Sequence, residues 1–265
     1  MFAMTPESPS KTAIITGGGT GVGRATALQL AELGYAVAVV FSRSEAEAEA
    51  TVADIAALGG QALAIQADVA VDAQCRAMVA QVVAELGRVD VLVNCAGTTA
   101  FIPFDDLDSV TDEVWDKLFH VNVLGAFHCA RAVRTAMLES GGGQIINVSS
   151  VAAKLGQGSS IPYCASKAAL DSVTVSLART LAPQIRVNAV APGFITGRWL
   201  EGGLGANYET VKQTFANSLP LGRVCAPEDV AACIVSLITG STMVTGQTLF
   251  VDGGMMIAGF QARVA

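Results

Sequence analysis

The sequence predicts an α/β protein: a single doubly wound domain over residues 1–265, with helices on both faces of a seven-stranded, mostly parallel sheet. Three observations carry that expectation. Apolar runs of strand length alternate with longer segments of helical period, as in successive βα units around a parallel sheet. A glycine turn, Thr16 to Gly23, separates the first run from the first helical segment, the place where such folds bind phosphate. Hydrophobic residues make 52% of the chain against 15% charged, with three Tyr and two Trp, so a sizeable interior is built mainly of Ala, Val, Ile and Leu.

The elements follow in order. Strands are expected at Thr12 to Thr16, Ala36 to Phe41, Ala62 to Gln66, Val89 to Asn94, Gln144 to Ser149, Arg186 to Ala191 and Thr248 to Val251. Helices are expected between them at Gly21 to Leu33, Ser44 to Leu58, Asp72 to Leu86, Thr111 to Leu138, Pro162 to Leu181 and Pro227 to Leu237. Gly34, Gly59 and Gly87 each follow a helix, where a left-handed cap is wanted. Ser159 or Ser160 caps the helix that Pro162 opens. The largest irregular stretch runs from Pro192 to about Asn207, glycine-rich yet carrying Phe194, Trp199 and Leu200; it is expected, over about 193–215, as a lid on a pocket.

Charge and spacing exclude several functions. The net charge is -7 with no Lys/Arg cluster, which argues against a nucleic-acid surface. The longest strongly apolar stretch, Tyr35 to Phe41, is too short to span a bilayer, and the leader Met1 to Ser10 carries Glu7 and two prolines, so a soluble, untargeted cytoplasmic protein is expected. The six cysteines show no CxxC and fit reduced thiols. No Cys/His cluster has metal-ligand spacing, and His120 and His128 share one helical segment, leaving a Ser-His-Asp hydrolase without a base.

Two groups of residues carry chemistry. In the glycine turn, Gly17, Thr20, Gly21, Val22 and Gly23 offer backbone at a helix N-terminus to a dinucleotide's pyrophosphate, although Gly17-x-x-x-Gly21-x-Gly23 is not the common GxGxxG. After the second strand stand Ser42 and Arg43 in place of a carboxylate, a hydroxyl and a guanidinium suited to a 2′-phosphate; NADP(H) is therefore preferred, with NAD(H) the second option. Tyr163 and Lys167 share a helical face at i and i+4, so the ammonium is expected to favour the ionised phenol. Ser150, thirteen residues before the tyrosine at a strand's carboxyl end, is placed to hold a substrate oxygen. Asn122, on the stripe Val114, Leu118, Asn122, Ala126, is a buried amide that demands a partner.

The sequence resembles the short-chain dehydrogenase/reductase family, a Rossmann-type fold, over about residues 11 to 256. The resemblance rests on TGxxxGxG at Thr16 to Gly23, Asp68-Val69, the NxAG-like Asn94-Cys95-Ala96-Gly97, Tyr163-xxx-Lys167, Pro192-Gly193 and Val251-Asp252-Gly253-Gly254. It implies strand order 3-2-1-4-5-6-7, a homotetramer, a catalytic set Asn122, Ser150, Tyr163 and Lys167, adenine contacts from Asp68 and Val69, and cofactor contacts from Asn94, Ala96, Gly97, Pro192, Gly193 and backbone near Ile195. It further implies that Lys167 binds the nicotinamide ribose and that Asn122 supports a proton-relay water. Gly197 stands where relatives carry a threonine, with Thr196 one position early.

Hydride transfer between NADP(H) and a small carbonyl or alcohol is the function these residues imply. The tract from Ser42 to Asp68 is most similar to 3-oxoacyl-carrier-protein reductases, which dock an acidic carrier on basic residues. Here Gly141-Gly142-Gly143-Gln144 and Pro183-Gln184 lack positive charge, favouring a free substrate. Phe101, Ile161, Phe194, Trp199 and Leu200 are candidates for an apolar wall, with a core role the equal alternative for Phe101 and Ile161. The rival from another class is a nucleotide-sensing protein that has lost turnover.

Overall fold

A computed structural model describes residues 10–258. The expected untargeted leader before Ser10 and the tail beyond Ala258 lie outside the described residues. Seven strands form one sheet in the order β3-β2-β1-β4-β5-β6-β7: β1 Thr12–Thr16, β2 Ala36–Phe41, β3 Ala62–Gln66, β4 Val91–Asn94, β5 Gly143–Val148, β6 Ile185–Pro192 and β7 Thr248–Val251. Every pairing is parallel, so all seven carboxyl ends meet one edge.

The helices are α1 Gly21–Glu32, α2 Glu45–Ala57, α3 Asp72–Leu86, α4 Asp112–Phe119, α5 Ala126–Glu139, α6 Ala152–Leu155, α7 Ile161–Leu181, α8 Arg198–Leu204, α9 Tyr208–Ser218 and α10 Pro227–Thr239. The side-chain period of two divides each strand between two cores. Ala13, Ile15, Val37, Val39, Val91 and Val93 pack on one side with Leu30 of α1, Ile55 of α2 and Ile234 of α10. Ile14, Ala38, Val40, Leu92 and Ile145 pack on the other with Met78 of α3, Val133 of α5 and Leu181 of α7. Burying each such branched side chain contributes on the order of 1.5–3 kcal/mol, and both faces of the sheet are covered by helices.

Gly34, Gly59 and Gly87 have left-handed φ of 82, 80 and 82°, as their places after helices required. The helix expected over Thr111 to Leu138 is not continuous: a π-helical turn, His120–Gly125, divides α4 from α5. Apolar periodicity does not register one extra residue in a turn. The stretch expected to be irregular from Pro192 to Asn207 contains α8, and α9 carries the covering segment on to Ser218. Gly202 and Gly203 hid α8 from a propensity reading, but a Cβ at Gly203 would fall 2.0 Å from the Phe101 ring, so glycine is there for space. Among the described residues no helix is long and apolar enough to cross a membrane.

Candidate active site

The carboxyl edge of the sheet opens into a cleft of about 1280 Å³. Its floor at one end is the β1–α1 turn. Gly17 and Gly21 have φ of 67 and 50°, which favour glycine. A Cβ on Gly17 would come within 3.2 Å of Ala96, and one on Gly19 within 2.8 Å of the α2 backbone at Ala48. The loop is thus a backbone cradle at the start of α1, suited to a pyrophosphate, and the residues present fit a dinucleotide. Thr20, Val22, Ser42, Arg43, Asp68, Val69, Ala96, Gly97, Pro192, Gly193 and Ile195 line the same cleft.

Gly23, Asn94 and Asn122 stand behind its wall. A Cβ on Gly23 would strike the Gly17 carbonyl oxygen at 2.2 Å, so this glycine lets α1 close on the turn. Asn94 donates to Asn147 Oδ1 (2.9 Å) and to the Ala126 carbonyl (3.2 Å), tying β4 to β5 and α5. Asn122, in the π turn, donates to the Thr98 carbonyl and to Ser166 Oγ, both at 3.0 Å, and accepts from Thr98 N at 2.8 Å. Its amide fastens the loop after β4 to α7. Thr16, part of the expected motif but not singled out, accepts from Cys95 N (3.1 Å) and Ala96 N (3.0 Å) and holds that loop against β1.

At the other end of the cleft Ser150, Tyr163 and Lys167 converge. Ser160 is the cap that forms: its side chain accepts from Tyr163 N at 3.3 Å, with Pro162 in the first turn, so the tyrosine sits at a fixed helix entrance. Lys167 is 5% exposed, donates to the Val148 carbonyl at 2.9 Å, and its Nζ lies 5.8 Å from the Tyr163 ring centre. Ser150 and Ser149 both line the cleft, but the Ser149 hydroxyl is engaged, donating to the Lys167 carbonyl at 3.3 Å. Gly97 lies at the junction: a Cβ there would meet Asn122 Oδ1 at 3.4 Å and Lys167 Nζ and Trp199 at 3.7 Å.

The electrostatics differ from the sequence expectation. Burial pushes the Tyr163 phenol up to about 12, with the Ser150 hydroxyl pulling the other way. Lys167, expected to lower it, is not among the groups acting on the phenol; burial, a tertiary effect invisible in an i, i+4 spacing, dominates. Burial also pulls the Lys167 ammonium down to about 8, opposed by Cys95 and Asp171. Asp171, one turn further along α7, is buried; burial raises its pKa, opposed by the nearby hydroxyls of Ser149 and Thr248 and by Lys154 and Lys167.

Several expectations are corrected at the rim. Phe194 is 7% exposed and packs with Tyr208 of the covering segment and with Leu219 and Val224 just beyond it, so it is core; Trp199 and Leu200 do line the cleft. Phe101 presses on Gly203 from outside it. Gly141 to Gly143 and Pro183-Gln184 lie at the amino ends of β5 and β6, on the edge opposite the cleft within one chain, so their lack of charge does not describe its mouth. Thr196 N donates to the Cys225 carbonyl at 2.9 Å, beside the Ile195–Cys225 bridge. Lys117, His120 and Val121, spaced on one face of the helix entering the π turn, line the cleft and were not singled out; so does Arg198.

The short chain dehydrogenase family matches residues 11–201. Among similar proteins are one named a ketoacyl reductase of the granaticin polyketide synthase of Streptomyces violaceoruber, 41% identical over 96% of this chain and 98% of that one. The 3-oxoacyl-acyl-carrier-protein reductase of Staphylococcus aureus is 40% identical, covering 93% and 98%. A structure described as a short-chain dehydrogenase/reductase of Burkholderia xenovorans superposes with TM-score 0.87 at 36% identity, over 94% of this chain and 99% of that one.

Proposed function

The chain belongs to the short-chain dehydrogenase family, NAD(P)-dependent oxidoreductases that act on CH–OH groups, and from that premise we propose that it is an NADP(H)-dependent reductase of a small free carbonyl compound. The observation that carries the reading is the meeting of Ser150, Tyr163 and Lys167 at one end of a cleft whose other end holds Ser42 and Arg43. A bound nicotinamide cofactor supplies or takes the hydride. Tyr163, neutral at physiological pH with its pKa pushed up to about 12, gives its proton to the substrate oxygen in reduction and takes it back in oxidation. Ser150 orients and polarises that oxygen. Lys167, charged below about 8, holds the nicotinamide ribose and draws the phenolic proton's replacement towards the site. Asn122 acts through the loop it fastens, keeping Thr98 beside α7.

Preference for the phosphorylated cofactor is supported by β2 ending in Phe41 and continuing into exposed Ser42 and Arg43, with no carboxylate at the strand's end to take the ribose hydroxyls. Arg43 makes no ion pair among the described residues, whereas Arg24 is held by Asp54 at 2.6 Å. The segment 193–218 is the lid of a single domain that closes over this cleft. The enzyme acts in the cytoplasm, in keeping with its unpaired thiols, and assembles as a homotetramer through exposed apolar side chains such as Phe127, Val175 and Phe250.

A second reading, a 3-oxoacyl-carrier-protein reductase, is favoured by the names of relatives about as similar as any reported above. Net charge -7 opposes docking of an acidic carrier. Turnover on a panel of free ketones against a carrier-bound thioester, each with NADPH and NADH, separates the two; faster reduction of the thioester rejects the free-substrate reading, and preference for NADH rejects the role of Arg43.

A further inference from the structure

Arg198 opens α8 and reaches back across the mouth of the cleft to the start of α2. Its Nη1 lies 2.7 Å from Glu47 Oε1, and its Nη2 donates to Ser44 Oγ at 3.3 Å. Ser44 directly follows Arg43, and Ser42, Arg43, Ser44 and Arg198 all line the one cleft. A residue of the lid is therefore held at the phosphate end of the site, although its own helix begins near the catalytic end.

The pair that holds it there is open to water: the Arg198 and Glu47 side chains are 59% and 44% exposed. Such a pair contributes little net stability, because both ions are well solvated when apart. A phosphate dianion offers the same fork twice the charge and more acceptor oxygens. Gly197, just before Arg198, has φ of 131° and no atom within 4 Å of a Cβ position, so the backbone at the base of α8 is unpacked and permissive.

Resting on the reading of an NADP(H) enzyme, we propose that Arg198 is a second arginine of the adenosine 2′-phosphate site, which gives up Glu47 for the phosphate when the cofactor docks beside Arg43. The exchange couples recognition of the 2′-phosphate to lid closure, since Arg198 adjoins Trp199 in α8, and Trp199 covers Gly97.

The test is direct binding of NADPH and NADH, by calorimetry without substrate, to the native chain and to Arg198→Ala, Arg198→Lys and Arg43→Ala. Arg198→Ala is expected to weaken NADPH binding roughly tenfold or more, as loss of a charge-assisted bond to phosphate does, and to leave NADH within about twofold. Lysine recovers part of the loss, because it restores charge without the fork. Equal weakening towards both cofactors overturns the assignment in favour of the shared pyrophosphate, and no weakening towards either overturns it outright. Native protein that binds NADH as tightly as NADPH overturns the cofactor reading itself, a result distinct from a native preference that survives Arg198→Ala.

Discussion

The carboxyl edge of the sheet and the segment that crosses it are built to different standards. Among the described residues each face of the sheet has a core of twenty-one buried residues, whereas the cluster under the covering segment has four, of which that segment supplies only Phe194 and Tyr208, with Leu219 and Val224 following it. α8 buries no residue at all. Elements with so few buried apolar contacts open at low free-energy cost, while core strands open only with the whole fold. The contrast teaches a division of labour. Groups that exchange protons stand on rigid strand ends and a helix entrance; groups that select and enclose ligands ride on the weakly anchored part.

Tyr163→Phe gives the sharpest cut. Turnover should fall by roughly 100- to 10,000-fold, the range of a lost general acid, with cofactor affinity within about twofold of native. Unchanged turnover would show that the sheet edge does not carry the chemistry. Next in size is a pH effect. Since the Lys167 ammonium titrates near 8 instead of 10.5, it is charged below that value and neutral above it. kcat/KM for NADPH, which reports the free enzyme, should drop about tenfold per pH unit on the alkaline side. Tyr163, raised to about 12, remains neutral throughout and adds no limb of its own. A profile flat across pH 8 would detach Lys167 from cofactor capture.

Two glycine substitutions compare the regions directly. Gly23→Ala drives a methyl group into the Gly17 carbonyl, so it should cost roughly 1–3 kcal/mol of stability, read as a lower Tm, together with loss of cofactor binding. Gly203→Ala drives one into the Phe101 ring, yet it should leave Tm nearly unchanged and raise substrate KM a few fold, with Phe101→Ala restoring it. Comparable Tm losses from both variants would erase the distinction between scaffold and lid.

The same division decides what was legible. β1, β2, β3, β7 and α3 fall at their expected bounds, because apolar runs, buried throughout in β1 and β2, and the glycine after α3 write their limits locally. Most expected cofactor residues do line the cleft for the same reason: backbone turns at strand ends fix them. What stayed hidden depends on distant neighbours. Gly203 in α8 makes room for Phe101, Glu47 captures Arg198, Asn147 turns Asn94 inward, and burial reverses the expected shift of Tyr163. No spacing within one segment contains those partners.

The wide turn at His120–Gly125 has a consequence for how such a chain can change. A turn of this kind holds one residue beyond an ordinary helical turn and is disfavoured by itself. Excising a single residue there would straighten the rod and stiffen the molecule against heat, while swinging the Asn122 amide off Thr98 and Ser166. The surplus residue thus aims one amide at the cleft's wall, and an unbroken helix of the same sequence would carry that side chain round to another face.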